Sequence, residues 1–498
     1  FFKFVLAMKR KKLRIFVYLF LVLIYSCGDD SDDNIINFVP DNTIVNPEPE
    51  IDPTETVLYL EINDFIWENL NQYYYWQNEV TDLSDDYLNN SNTYLDLLKT
   101  YSDSENFFES LKYKDDRFSW IRKESSELEN ELAGISASNG LIFDVYYKDS
   151  SNTELIGIVR YVLPNSNASE TDIKRGDIFT GVNNITLTPG NYVQLLYGNN
   201  LTYNLNMAEY TDGVVSPLEK IIKLTKVENF QENPIQLSKI INVGEKKVGY
   251  LMYNQFLSSF EDDLISVFDN FKFENISDLV LDLRYNPGGS VNNATYTASM
   301  IAGQLNGKIF AKEIWNSKMN DFYQREAPDR LVNLFSNVTS TGKNLPNLNL
   351  NKIYVITSNR SASASELLIN GLNAHIEVIQ IGDKTSGKNV GSITLYDYID
   401  NNGTINPRHN YAMQPVVLKI ANGDGFSDYD NGLEPDYEIL EDKYNLGIIG
   451  DVNEPLLSEA LSRISGTSKK LPKLNYNFDI PLPNPFDKLK TKMYIEDF

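Results

Sequence analysis

The sequence predicts an α/β domain over residues 228–466, preceded by a β-rich domain over 134–227 and a small helical domain over 56–133. Three observations carry this. From residue 228 onward, short apolar runs (248–253, 279–283, 352–357, 377–381) alternate with stretches that read as helix (260–268, 291–302, 366–374), the pattern of a sheet covered by helices. Before it, 141–147 and 154–162 read as strands. Earlier still, Ile62, Phe65, Ile66, Leu70, Tyr73 and Trp76 recur at helical spacing, so 61–76 reads as an amphipathic helix.

The chain begins differently. Met8 is followed by four basic residues, Lys9 to Lys12, and then by an apolar run over 13–25 interrupted only by Arg14. A basic start and a short apolar stretch make an export signal, too short for a membrane span. The run ends at Ile24-Tyr25-Ser26-Cys27, which resembles a bacterial lipobox with Cys27 as the lipidated residue. Cys27 is the one cysteine in the sequence, which excludes an intramolecular disulfide. Gly28, Asp29, Asp30, Ser31, Asp32 and Asp33 follow at once, a polar tether that also resembles the surface-export signals of Bacteroidetes lipoproteins. The expected division is a signal peptide over 1–27 and a flexible acidic linker over 28–55, rich in Asp, Asn and Pro. The expected place is the bacterial cell envelope, on the outer membrane through a lipid anchor, on its periplasmic or surface face. The net charge of −25 argues against nucleic acid as a partner, because phosphate contacts need a basic surface.

Over 56–133, a second helical stretch (94–111) ends before Asp116-Arg117-Phe118-Ser119-Trp120. The aromatic run Tyr73-Tyr74-Tyr75-Trp76 could form a sugar platform, but its helical spacing favours packing. In the β-rich domain, 162–181 resembles the core of a PDZ domain: a short helix, the turn Gly176-Asp177, then a strand over 178–182. That resemblance implies a sheet edge to which a peptide adds as a strand, with a receiving loop near residues 139–141. Thr171-Asp172-Ile173 departs from the usual Ala-Gly-Leu.

Two junctions in the α/β domain carry chemistry. The strand over 279–283 contains Asp282 and runs into Arg284-Tyr285-Asn286-Pro287-Gly288-Gly289, then a helix. Two glycines there let the backbone approach a ligand, and their N–H groups would sit at a helix N-terminus, where negative charge is stabilised. An oxyanion hole needs both properties. The second junction follows the strand over 352–357. Ser361-Ala362-Ser363-Ala364-Ser365-Glu366 lies between that strand and a helix, and the turn Gly382 to Lys388 lies one strand further on. A serine hydroxyl attacks only when a base takes its proton. The sequence has two histidines, His375 and His409. His375 ends the helix after Ser363, His409 sits in an Asn- and Pro-rich loop, and neither has the spaced partner of a zinc ligand. A lysine can act as the base if its pKa falls from about 10.4 to about 7–8. Ser363 and Glu366 also fit a helix capping box.

Together, Ser-Ala-Ser-Ala-Ser-Glu and Thr385-Ser386-Gly387-Lys388 resemble the C-terminal processing, or tail-specific, serine proteases. The resemblance covers residues 61–466 in order: helical cap, PDZ-like domain, then a catalytic domain of the crotonase/ClpP-like α/β type. It implies Ser363 as nucleophile, Lys388 as base, Thr385 at the family's threonine position, and the amides of Gly288 or Gly289 and of Ala364 as oxyanion donors. It implies a polypeptide substrate and calls for neither metal nor cofactor. Many relatives carry a glutamine four residues after the lysine to orient it. Here that position is Ser392, and Gln414 is a second candidate from another strand. Two other readings stay open: a catalytically degenerate envelope lipoprotein that binds peptide or glycan, and an acyl hydrolase working through His409. After a closing helix over 457–464, residues 467–498 read as a tail on the surface or disordered.

Overall fold

The computed structural model describes residues 53–467, 481–482, 484 and 492–496. The signal segment with Cys27, and the linker as far as residue 52, lie outside the described residues.

The helical domain is built on the helix Pro53–Tyr73. Its apolar stripe is buried, with Ile66 and Leu70 wholly enclosed. The helices Ser91–Leu98 and Ser104–Ser110 start on side-chain caps from Asn90 and Asp103, which satisfy amides that no helical carbonyl can reach. The aromatic run packs inward: Tyr74 is fully buried, and Trp76 stacks on Tyr113. The domain docks through Trp120–Arg122, which pairs antiparallel with Ala412–Gln414 of the α/β domain. The Ser119 hydroxyl accepts from the Val416 amide at 2.8 Å and strengthens the joint.

The middle domain is a six-stranded antiparallel sheet. It is entered and left through a two-stranded stalk, Ile135–Ser138 against Val227–Gln231. Leu155, Val159, Phe179, Leu205 and Leu224 form its own core. Leu141–Tyr147 is an edge strand of this sheet.

The α/β domain has two sheets. In the first, Ile235–Val243 pairs antiparallel with Lys246–Tyr253. Asp278–Asp282, Lys352–Thr357, Glu377–Gly382 and Tyr437–Glu438 then follow in parallel. Their apolar runs are continuous because both faces of a parallel sheet are covered. The second sheet runs Gly288–Ser290, Lys492–Ile495, Val390–Ile393, Val416–Asn422, Ile309–Trp315, Val332–Leu334. The helix Ala364–Asn373 touches strands of both sheets and packs on the helix Val291–Ile301. Its N-terminus therefore lies where the parallel strands end, the usual place for a site in such sheets.

One expectation is corrected. The tail after 467 is not wholly a surface segment: Lys492–Ile495 is a buried strand inside the second sheet, with Met493 fully enclosed. Four residues among polar neighbours give no periodic signal, and the strand exists only through partners distant in sequence.

Candidate active site

The loop 283–287 and the loop 358–363 leave the adjacent strands Asp278–Asp282 and Lys352–Thr357, and they are laced to each other and to the lysine turn. The Ala362 amide donates to the Asn286 carbonyl at 3.1 Å, and the Ser386 amide donates to the Ser361 carbonyl at 3.0 Å. The three serines of the repeat separate by role. The Ser361 hydroxyl donates to the Leu283 carbonyl at 2.8 Å, and the Ser365 hydroxyl donates to the Asn286 carbonyl at 3.0 Å. The Ser363 hydroxyl is buried and makes no hydrogen bond of normal geometry, although it faces the Glu366 amide in a capping box. Of the three hydroxyls it is the one not committed to a backbone carbonyl, as a nucleophile needs. Ser363 also holds φ +64° with ψ −114°, and it is the one residue other than Asn, Asp and Gly at positive φ among the described residues. It lies at the turn onto the helix Ala364–Asn373, where Ser363 is the N-cap.

Glu366 fixes this geometry. Its carboxylate is buried and accepts four hydrogen bonds: from the Ser363 amide at 2.7 Å, the Thr385 hydroxyl at 2.5 Å, the Gly387 amide at 2.6 Å and the Lys388 amide at 2.8 Å. Burial pushes this carboxyl up, and the four donors pull it back. The residue read from the sequence as half of a capping box is therefore also the clamp between the serine turn and the lysine turn.

Lys388 is buried, with its ammonium 4.7 Å from the centroid of the Phe118 ring. Burial pushes its pKa down to about 7, against the pull of Asp116, and the Lys492 charge acts in the same direction as burial. The amine is therefore neutral in a useful fraction at neutral pH. Asp116 is fixed in turn. Its Oδ2 accepts from the Tyr74 hydroxyl at 2.7 Å, and its Oδ1 accepts from the amides of Phe118 and Ser119. The hydroxyl–amine hydrogen bond that proton transfer needs is not made in this structure, as in many sites that tighten only around substrate.

Gly288 lies against both candidate partners. A Cβ on it would fall 2.6 Å from the Ser363 Cβ and 2.9 Å from the Ala364 nitrogen, and its φ is +108°. Gly289 has φ +140° and would meet the Phe256 carbonyl oxygen at 2.1 Å. The Ala364 amide opens a helix and has no intrahelical acceptor. The Gly288 amide donates to the Asn286 side-chain oxygen at 2.9 Å. Behind the glycines, Arg284 is fully buried and bonds Asp282 at 2.8 Å, Glu454 at 2.7 Å and Glu441 at 3.0 Å.

The remaining candidates stand elsewhere. Gln414 donates to the Ser392 hydroxyl at 3.1 Å, Ser392 donates to the Met493 carbonyl at 3.0 Å, and Thr394 donates to Gln414 at 2.7 Å. Gln414 is thus tied to Ser392 and Thr394, and Ser392 to the last strand. His375 meets the Ile309 carbonyl at 2.9 Å, and His409 pairs with Asp397 at 3.2 Å beside Phe65 of the helical domain. Neither touches the Ser363 hydroxyl. Sequence reasoning missed Asp116 and Phe118 of the helical domain and Lys492 of the last strand, which bear on the lysine from outside residues 228–466. The Asp-Arg-Phe-Ser-Trp run was the one visible signal.

Comparison with known proteins identifies a family. A family model for peptidase family S41 matches residues 247–439, and a model for the peptidase S41 N-terminal domain matches residues 61–120. The chain is 25% identical over 280 residues to the chloroplastic carboxyl-terminal-processing peptidase 1 of Arabidopsis thaliana, covering 55% of this chain and 50% of that protein. It is 26% identical over 177 residues to a carboxyl-terminal-processing protease of a Picosynechococcus species, covering 35% of this chain and 37% of that one. The chain thus spans about half or less of the length of these curated relatives. The crystal structure of a Bacteroides fragilis protein assigned to the S41 proteases superposes with a TM-score of 0.63 at 27% identity, over 81% of this chain and 97% of that one. With the family models falling on the helical domain and on both glycine and serine junctions, this chain belongs to peptidase family S41.

Proposed function

We propose that this protein is a serine endopeptidase that cleaves unfolded or C-terminally recognised polypeptides through a Ser363–Lys388 pair. The observation that carries the reading is the Glu366 clamp, which holds a buried hydroxyl not committed to a backbone carbonyl and a lysine of lowered pKa at one site. In the mechanism, neutral Lys388 takes the Ser363 proton as the oxygen attacks a peptide carbonyl. The oxyanion is held by the amides of Ala364 and of Gly288 or Gly289, the first of these glycines after Asn286 turns aside. Lys388 then gives its proton to the leaving amine, and a water that it activates hydrolyses the acyl-enzyme. Protein groups and water suffice for every step.

The two-sheet domain reads as crotonase/ClpP-like, and the inserted sheet as PDZ-like. Its edge strand Leu141–Tyr147 begins where the peptide-receiving loop was expected. The lipobox-like sequence at Cys27 supports an envelope protein anchored by lipid to the outer membrane, and loss of palmitate labelling in Cys27→Ser would check it.

The direct test is degradation of fluorescein-labelled casein. The expected result is cleavage by the wild type and none by Ser363→Ala or Lys388→Ala. Cleavage that survives Lys388→Ala and disappears in His409→Ala would replace this mechanism with a histidine one.

A further inference from the structure

Two described pieces of the chain beyond residue 480 lie on functional surfaces. The first is residues 481–482. The Leu482 amide donates to the Val145 carbonyl at 2.7 Å, and its side chain packs on the cluster of Leu141, Val145 and Leu196. Val145 belongs to the edge strand of the inserted sheet, so this contact is the beginning of strand addition. The second piece is Lys492–Ile495, parallel to Gly288–Ser290 on one side and to Val390–Ile393 on the other, with Lys492 opposite Gly288. A Cβ on Gly288 would fall 2.4 Å from the Lys492 carbonyl oxygen and 2.6 Å from the Ser363 Cβ. The strand and the serine therefore crowd the same glycine.

The cavities join the two places. A cleft of about 320 Å³ is bounded by Pro287, Ala362 and Ser386, close in sequence to Gly288, Ser363 and Lys388, and by Leu482. A second, of about 600 Å³, is bounded by Asn139, Leu141 and Tyr197 of the inserted domain and by Lys492. Both share Ile142, Arg160, Glu232 and Gln255, so one trough connects the edge strand with the flank of the serine–lysine pair. Both pieces of chain also lie outside the stretch 247–439 that the family model matches.

We propose that this trough, with the slot between Gly288–Ser290 and Val390–Ile393, is the track for an extended polypeptide, and that residues 481–482 and Lys492–Ile495 occupy it in cis as an autoinhibitory strap. The proposal rests on the peptidase reading and adds its regulation. Backbone pairing makes such a slot tolerant of sequence, so one segment can stand in for another. A tethered occupant competes at an effective concentration on the order of millimolar, so weakly binding chains are kept out until the strap is displaced.

The test uses the full chain with Leu482→Glu and Met493→Glu, alone and together, each in the Ser363 and the Ser363→Ala background. Binding of fluorescein-labelled casein is read by anisotropy in the Ser363→Ala chains, and hydrolysis in the others. A synthetic peptide of residues 478–496 is then added. The expected result is retained helical circular dichroism, binding and hydrolysis each raised at least about tenfold in the double variant, and suppression of both by the peptide. The opposite sign would overturn the proposal: binding lost in the Met493→Glu chains and restored by the peptide, the mark of a permanent strand. Unchanged binding in Leu482→Glu, a half-buried site outside the catalytic sheets, would overturn it too. If no chain hydrolyses casein, the peptidase reading fails, while the strap is still judged on binding and on peptide competition.

Discussion

Ser363 and Lys388 donate their backbone amides to the same oxygen, Glu366 Oε2, at 2.7 and 2.8 Å. A single carboxylate therefore sets the separation of the nucleophile turn and the base turn. Glu366→Gln preserves the volume but places an amide N–H₂ where two donors already point. Casein hydrolysis is expected to fall at least tenfold, and urea unfolding to show a loss of about 2–4 kcal/mol, because hydrogen bonds to a charged acceptor contribute about 1.5–3 kcal/mol each.

The lysine's environment gives two shifts of opposite sign. Asp116 raises the Lys388 pKa, and Lys492 lowers it. The active form is the neutral amine, so hydrolysis falls as pH drops through about 7. Asp116→Asn is expected to move this acid limb to lower pH, which the pH dependence of kcat/KM measures. An unmoved limb would show that packing, not charge, governs it.

Gly288 tests the oxyanion assignment. In Gly288→Ala the new methyl meets the Lys492 carbonyl, the Ser363 Cβ and the Ala364 nitrogen, at a φ that side chains rarely adopt. Hydrolysis is expected to fall by about 100-fold or more, the usual effect of losing an oxyanion donor. Gly307→Ala is the control. It has φ +82° with open space around it, so it is expected to lose about 1 kcal/mol of stability and leave the rate unchanged.

The strand end before the glycines depends on Arg284, whose guanidinium joins Asp282, Glu454 and Glu441. Arg175 of the inserted domain bonds the same Glu441 at 2.6 Å. Arg284→Met leaves buried carboxylates without their cation and is expected to cost about 3–5 kcal/mol in urea unfolding. Burial pushes Glu441 up, but Arg175 and Arg284 outweigh it and hold its pKa at about 2 rather than 4.5. A carboxylate depressed in the folded state contributes stability above pH 4.5. That contribution is lost as pH falls toward about 2, and a pH series of unfolding curves should show it.

The strand ends and the two junctions were legible in the sequence because each joins a buried apolar strand to a turn that ends in small residues, Gly288-Gly289 in one and Ser361 to Ser365 in the other. The strand expected over 352–357 is observed as Lys352–Thr357, and the one over 141–147 as Leu141–Tyr147. The helix after Ser363 begins at Ala364, two residues before the expected start, because Glu366 caps it from within its first turn. What was not legible depends on long-range docking. Asp116 and Phe118 reach Lys388 only because Trp120–Arg122 pairs with Ala412–Gln414. Lys492–Ile495 becomes a strand only between two others. Ser392 was expected beside the lysine from its spacing and Gln414 from a separate strand; the bonds they make run to each other, to the Met493 carbonyl and from the Thr394 hydroxyl.

The most direct measurement is casein hydrolysis by Ser363→Ala and by Lys388→Arg, in the wild-type chain and with Met493→Glu, beside unfolding curves that verify the fold. Lys388→Arg keeps the positive charge but cannot give up its proton at neutral pH. The account expects both substitutions to bring hydrolysis to baseline, a loss of at least about 100-fold, in chains that unfold as the parent does. Turnover at the parent rate in either variant would contradict it.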